Sequence, residues 1–128
     1  MMVFKLISKQ PLDVGILVGR FRDIGNAYLR SGVLTIDNRN GACFWIDPIA
    51  IEDPFKDYTA EQLVRIRALV GQPVVTLLGS DTSEMTNVAF SRLPSERIFV
   101  ENAYRVIFAI EEVQRRLGAG EDWESVGK

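Results

Sequence analysis

Apolar and polar positions change their spacing several times along this chain, and each change marks a boundary between elements. Met1 to Ser8 alternates around Lys5 and predicts a first strand. Pro11 and Asp13 then introduce Val14, Leu17, Val18, Phe21, Ile24 and Tyr28 at helical spacing. Gly15, Gly19 and Gly25 weaken that helix, each by about 1 kcal/mol against alanine. A strand over 14–21, hairpinned to the first, is the alternative. The helix is preferred because Gly15 and Gly19 share one face and permit close packing, and Gly32 is placed as its end.

The clearest local signal follows. Val33–Asp37 and Ala42–Asp47 flank Asn38-Arg39-Asn40-Gly41, and Asn-Gly is strong turn chemistry because both residues tolerate positive φ. A β-hairpin is predicted there. Pro48 and Pro54 bracket an irregular segment, and Thr59-Ala-Glu-Gln62 forms a capping box ahead of Leu63, Ile66, Leu69 and Val70. That helix should stop near Gly71, before Pro73, and Val74–Leu78 should form a short buried strand. Asp81 and Glu84 open a short helix through Leu93, and Pro94 breaks it.

Ser95 is placed as the cap of a last, longer helix reaching about Leu117, just before Gly118. Phe99, Ala103, Val106, Ile110, Val113 and Leu117 recur there at alternating steps of four and three. Val100, Tyr104, Ile107 and Phe108 extend the apolar surface around the same cylinder, beyond what a one-sided surface helix needs. Cover for them would come from the preceding short helix or from a second copy of the chain, so these four residues form the candidate homodimer face.

The element order predicts an α+β fold with a ferredoxin-like βαββαβ core, a mainly antiparallel sheet and a C-terminal helical extension. Residues 1–118 read as one domain and 119–128 as a flexible polar tail. At 128 residues the chain is long enough to close one core without disulfides or metal. No strictly apolar run exceeds five residues, the length of Val106–Ile110, which is far shorter than a membrane span, and Lys5 and Lys9 interrupt the stretch a signal peptide would need. A cytoplasmic location without membrane attachment is the expectation.

Composition changes the picture most through an absence: the chain has no histidine and one cysteine, Cys43. Ser-His-Asp and Cys-His nucleophile arrangements and His-ligated zinc are therefore excluded. Cys43 reads as a small buried hydrophobe. Net charge is −2, which argues against a nonspecific nucleic-acid binder. Asp37-Asn38-Arg39-Asn40-Gly41 fails as a calcium loop, because Arg39 stands where an oxygen ligand is required. The glycines match no phosphate-binding spacing. Phe44 and Trp45 point to opposite faces of one strand, so they do not form an RNA-stacking pair. No cofactor is implied.

Charge is unevenly spread. Asp47 to Glu61 holds five acids against Lys56, whereas residues 1–46 carry six bases and three acids. The function expected is non-enzymatic: a small protein-binding module, of the inhibitor or immunity-type neutraliser kind, that docks a basic partner. Asp47, Glu52, Asp53 and Asp57 would steer the partner and Phe55 and Tyr58 would anchor it. Two alternatives stand beside it. One is a regulatory domain binding a small ligand. The other is a histidine-free enzyme using carboxylates and arginines such as Arg20 or Arg65.

Overall fold

The computed structural model describes residues 2–38, 41–48, 53–94 and 97–128. Along the chain run β1 (Met2–Ser8), α1 (Val14–Phe21), β2 (Asn26–Arg30), β3 (Val33–Asp37), β4 (Cys43–Asp47), α2 (Ala60–Val70), β5 (Val74–Ser80), α3 (Ser83–Arg92), β6 (Phe99–Glu101), β7 (Ile107–Ala109) and α4 (Ile110–Ala119). Among the described residues the strands form one seven-stranded sheet in the order β2-β3-β4-β5-β1-β6-β7. Every neighbouring pair is antiparallel.

The α+β class stands, but the sheet is not a ferredoxin-like βαββαβ core. It has seven strands, and β5 lies between β4 and β1. The nearest thing to a crossover is β5-α3-β6: both strands are antiparallel to β1, which separates them, so they run parallel to each other. The helices also divide between the faces. Leu17 and Phe21 of α1, Met85, Ala89 and Phe90 of α3, and Ile110 and Val113 of α4 join the larger core. Ile66 and Val70 of α2 join Ile7 and Val75 in a smaller core on the other face.

Several local predictions match. Val14–Phe21 is helical, with Asp13 Oδ1 accepting from Gly15 N at 3.0 Å and Ile16 N at 3.2 Å. The β3–β4 hairpin forms in the register Leu34↔Ile46 to Asp37↔Cys43. Thr59 and Gln62 close a reciprocal capping box on α2. The first helix, however, does not continue to Gly32. Asn26–Arg30 is a strand, and Ser31 (φ 52°) with Gly32 (φ 81°) forms a two-residue turn into β3. Positive φ at both central positions is the type I′ geometry that suits the twist of paired strands.

The long last helix is also corrected. Residues 99–101 and 107–109 are strands, and α4 begins only at Ile110. Apolar residues are so dense over 98–110 that periods of two and 3.6 fit equally, and periodicity cannot choose between them. Asn102 decides the local geometry. Its Oδ1 accepts from Tyr104 N at 2.9 Å and Val106 N at 3.0 Å, which folds the chain back between β6 and β7. Its Nδ2 donates to the carbonyls of Trp123 and Val126, at 2.9 and 2.8 Å.

Those two bonds anchor the end of the chain. The segment 119–128, expected as a flexible tail, carries Trp123 into the larger core, where it is 1% exposed. Its ring meets Phe4, Phe90 and Phe108. Among the described residues no helix is long and apolar enough to cross a membrane.

Candidate interaction face

The sheet's second face is covered unevenly. Strand alternation and register place two cross-strand rows on it. One runs Asp47, Leu77, Lys5, Glu101, Ile107. The next runs Tyr28, Thr35, Trp45, Gly79, Val3. Helix α2 and the Phe55–Tyr58 turn lie over the first row, around Ile7, Val75 and Leu77. The second row stays open at both ends: Tyr28 is 39% and Val3 52% exposed. Trp45, half-buried, lies against the backbone of Gly79, where an added Cβ would stand 2.2 Å from Trp45 Cζ2. Glycine is thus required there so that the indole can lie flat on the sheet.

A polar cluster borders this open area. Lys5 Nζ donates to Pro54 O at 2.8 Å and to Tyr58 Oη at 3.2 Å, and Tyr58 Oη donates to Glu101 Oε1. The Arg105 guanidinium sits 4.1 Å from the Tyr58 ring centroid, and Phe55 meets that ring edge-on at 5.1 Å. Burial, then the Glu101 carboxylate, pushes the Tyr58 phenol well above its ordinary value. Burial lowers the Lys5 ammonium, against the opposing pull of Glu101. Glu101 Oε2 is buried and accepts no hydrogen bond among the described residues. Beside the cluster, where β6 ends short of Met2–Phe4, lies a cleft of about 550 Å³ lined by Lys5, Glu101, Tyr104, Arg105 and Glu124.

These placements rearrange the expected site. Asp47 lies on β4 in the same row as Lys5 and Glu101. Asp53 and Asp57 are exposed, while Glu52 falls outside the described residues. Phe55 and Tyr58 pack on the smaller core, holding their loop down instead of projecting from it. The expected dimer set is dispersed. Val100 and Phe108 are buried in the larger core, Ile107 packs on the opposite face, and Tyr104 is exposed in the β6–β7 turn. Strand alternation separates residues that a helix would have aligned.

Other candidates have ordinary partners. Arg65 pairs with Glu61 at 2.6 Å on the exposed side of α2, and Arg20 donates to Arg92 O at 3.4 Å. Cys43 is half-buried and donates to Asp81 Oδ2 at 3.3 Å. Burial and that carboxylate push its thiol up, which disfavours the nucleophilic thiolate.

Sequence reasoning missed Tyr28, Val3, Lys5 and Glu101 as members of one face. Tyr28 was hidden by the unrecognised β2, although Ser31-Gly32 is itself a turn signal. Lys5 and Glu101 meet only through strand pairing across the whole chain. Compared with known proteins, the chain matches no family model, no curated protein and no solved structure.

Proposed function

We propose that the chain is a non-enzymatic protein-binding module that docks a partner with a basic surface, in the manner of an inhibitor or neutraliser. The carrying observation is the open row of the second face, with Tyr28, Trp45 and Val3 as apolar contacts. A half-buried tryptophan with an exposed tyrosine two strands away in the same row is the kind of pair that contributes strongly to binding in protein interfaces. Asp47 shares that face and Asp53 and Asp57 stand exposed on the loop beside it, so acidic potential would steer a cationic surface toward the rings. Phe55 and Tyr58 contribute by fixing the loop.

The test is capture of a basic partner by the intact chain at several salt concentrations. Binding should weaken with salt and be lost both in Trp45→Ala and in the Asp53→Lys, Asp57→Lys double variant, with far-UV circular dichroism preserved. Retention in both variants sinks the proposal.

The cleft beside Lys5 favours one other reading. Its volume of about 550 Å³ lies in the range of small-molecule sites. It presents both charge signs, Lys5 and Arg105 against Glu101 and Glu124, which suits a zwitterion. A panel of free amino acids in a thermal-shift assay should then raise the melting temperature of the parent protein but not of Arg105→Ala. No shift with any of them removes this reading.

A further inference from the structure

We infer that β2 is the seam through which this chain pairs with a second copy of itself, joining two sheets edge to edge across a two-fold axis at Tyr28. The two edges of the sheet are built differently. At one, β7 is three residues long, runs directly into α4, and has Phe108 buried and its neighbours half-buried. At the other, β2 is five residues long, with Leu29 50% exposed and Tyr28 39% exposed. It carries no proline, lysine or bulge of the kind that stops an edge from pairing, and its one charge, Arg30, stands at the end of the strand.

Its unused main-chain groups follow from the turn. Across the two-residue Ser31–Gly32 turn, Arg30 and Val33 form a hydrogen-bonded pair, so Asn26, Tyr28 and Arg30 direct their amide groups toward β3. Ala27 and Leu29 therefore direct theirs outward. An antiparallel pairing centred on Tyr28 sets Ala27 of one copy opposite Leu29 of the other, and these are the residues with outward groups to exchange. The same register sets Arg30, the strand's one charge, opposite the neutral amide of Asn26, and Tyr28 opposite Tyr28. No like charges meet, and Leu29 gains an apolar neighbour. The occupant that this edge fits without alteration is its own copy.

A five-residue seam is smaller than a standard protein interface, so the dimer belongs in the weak, micromolar class. Sedimentation equilibrium of the full chain over a concentration series tests it. The mass should climb from 14.4 kDa toward twice that value. Leu29→Pro removes an outward donor while sparing the β2–β3 ladder, and should hold the mass at that of one chain.

Two surface substitutions read the register. Asn26→Asp faces Arg30 and should tighten the dimer about five-fold, whereas Asn26→Arg faces it with like charge and should loosen it by a similar factor. Trp45→Ala, which disturbs the proposed partner face, should leave the mass curve unchanged, so the two proposals fail separately. A single-chain mass up to millimolar concentration overturns the inference and leaves the edge to a strand from another protein. A dimer indifferent to Leu29→Pro, or to both Asn26 substitutions, overturns it too.

Discussion

The two tryptophans sit on opposite faces of one sheet, in opposite circumstances. Trp123 is 1% exposed and ringed by Phe4, Phe90 and Phe108, at centroid distances of 5.4, 5.1 and 6.1 Å. Helices α1, α3 and α4 and the anchored chain end all contribute to its face. Trp45 lies on the bare backbone of Gly79, on a face where, among the described residues, α2 is the one helix that joins the core. Burial on the first face is extensive enough to hold the sheet, so the second can leave an aromatic row open. Stability and recognition are thus segregated by the pleat of the strands.

The largest expected effect breaks or confirms that segregation directly. Trp123→Ala should destabilise by about 3–5 kcal/mol, the cost of emptying a fully packed aromatic site. Trp45→Ala should cost clearly less, because the ring is only half-buried and rests on Gly79 with one side. Urea denaturation measures both, and equal losses would mean that the second face is core after all.

Next in size is Gly79→Ala. The new methyl group strikes the Trp45 ring, and the forced rearrangement should cost about 1–3 kcal/mol. In a Trp45→Ala background most of that penalty should vanish, and a double-mutant cycle would read the difference as coupling. Additive effects would show that the indole does not rest on Gly79.

Tyr58→Phe should cost about 1–2 kcal/mol, since it removes the hydroxyl linking Lys5 to Glu101 and leaves the carboxylate short of a donor. Its folded pKa lies above the ordinary value of 10.0, so its stabilising effect is complete below that pH and is lost as pH rises toward the folded value. Spectrophotometric titration should show a late-ionising phenol from Tyr58, and that component should disappear in the variant.

The smallest effect belongs to the outer surface of α4. Hydrogen bonds from Arg115 and Arg116 hold Glu112 down to about 2. Its contribution is therefore present above the ordinary value of 4.5 and fades as pH falls toward 2. In Glu112→Gln the acid limb of the stability curve should flatten slightly, and NMR titration of the parent should place the carboxyl near 2.

How far the sequence could be read depended on the range of the interactions. The capping box at Thr59–Gln62, the start of α1 just after Asp13 and the β3–β4 hairpin were legible because their chemistry is completed within a few residues. β2 was not, because its apolar residues extend the helical spacing of α1 and the Ser31-Gly32 turn is brief. Nor were β6 and β7, whose dense apolar run fits either period. The candidate site suffered similarly. The acids were visible as a charge cluster, but the rings chosen as anchors pack inward while Trp45 and Tyr28 lie on the open row.

By itself, the order of residues determined the caps, the tight turns, the class of chemistry that a histidine-free chain forgoes, and the net charge. Tertiary structure alone decided that 99–101 and 107–109 would be strands, that β5 would enter between β4 and β1, which face α2 would cover, and that the chain end would be pinned by Asn102. The physical reason is that a cap or turn satisfies its hydrogen bonds locally, whereas a strand must find them on another segment. Lys5 and Glu101 become neighbours only after that search has ended.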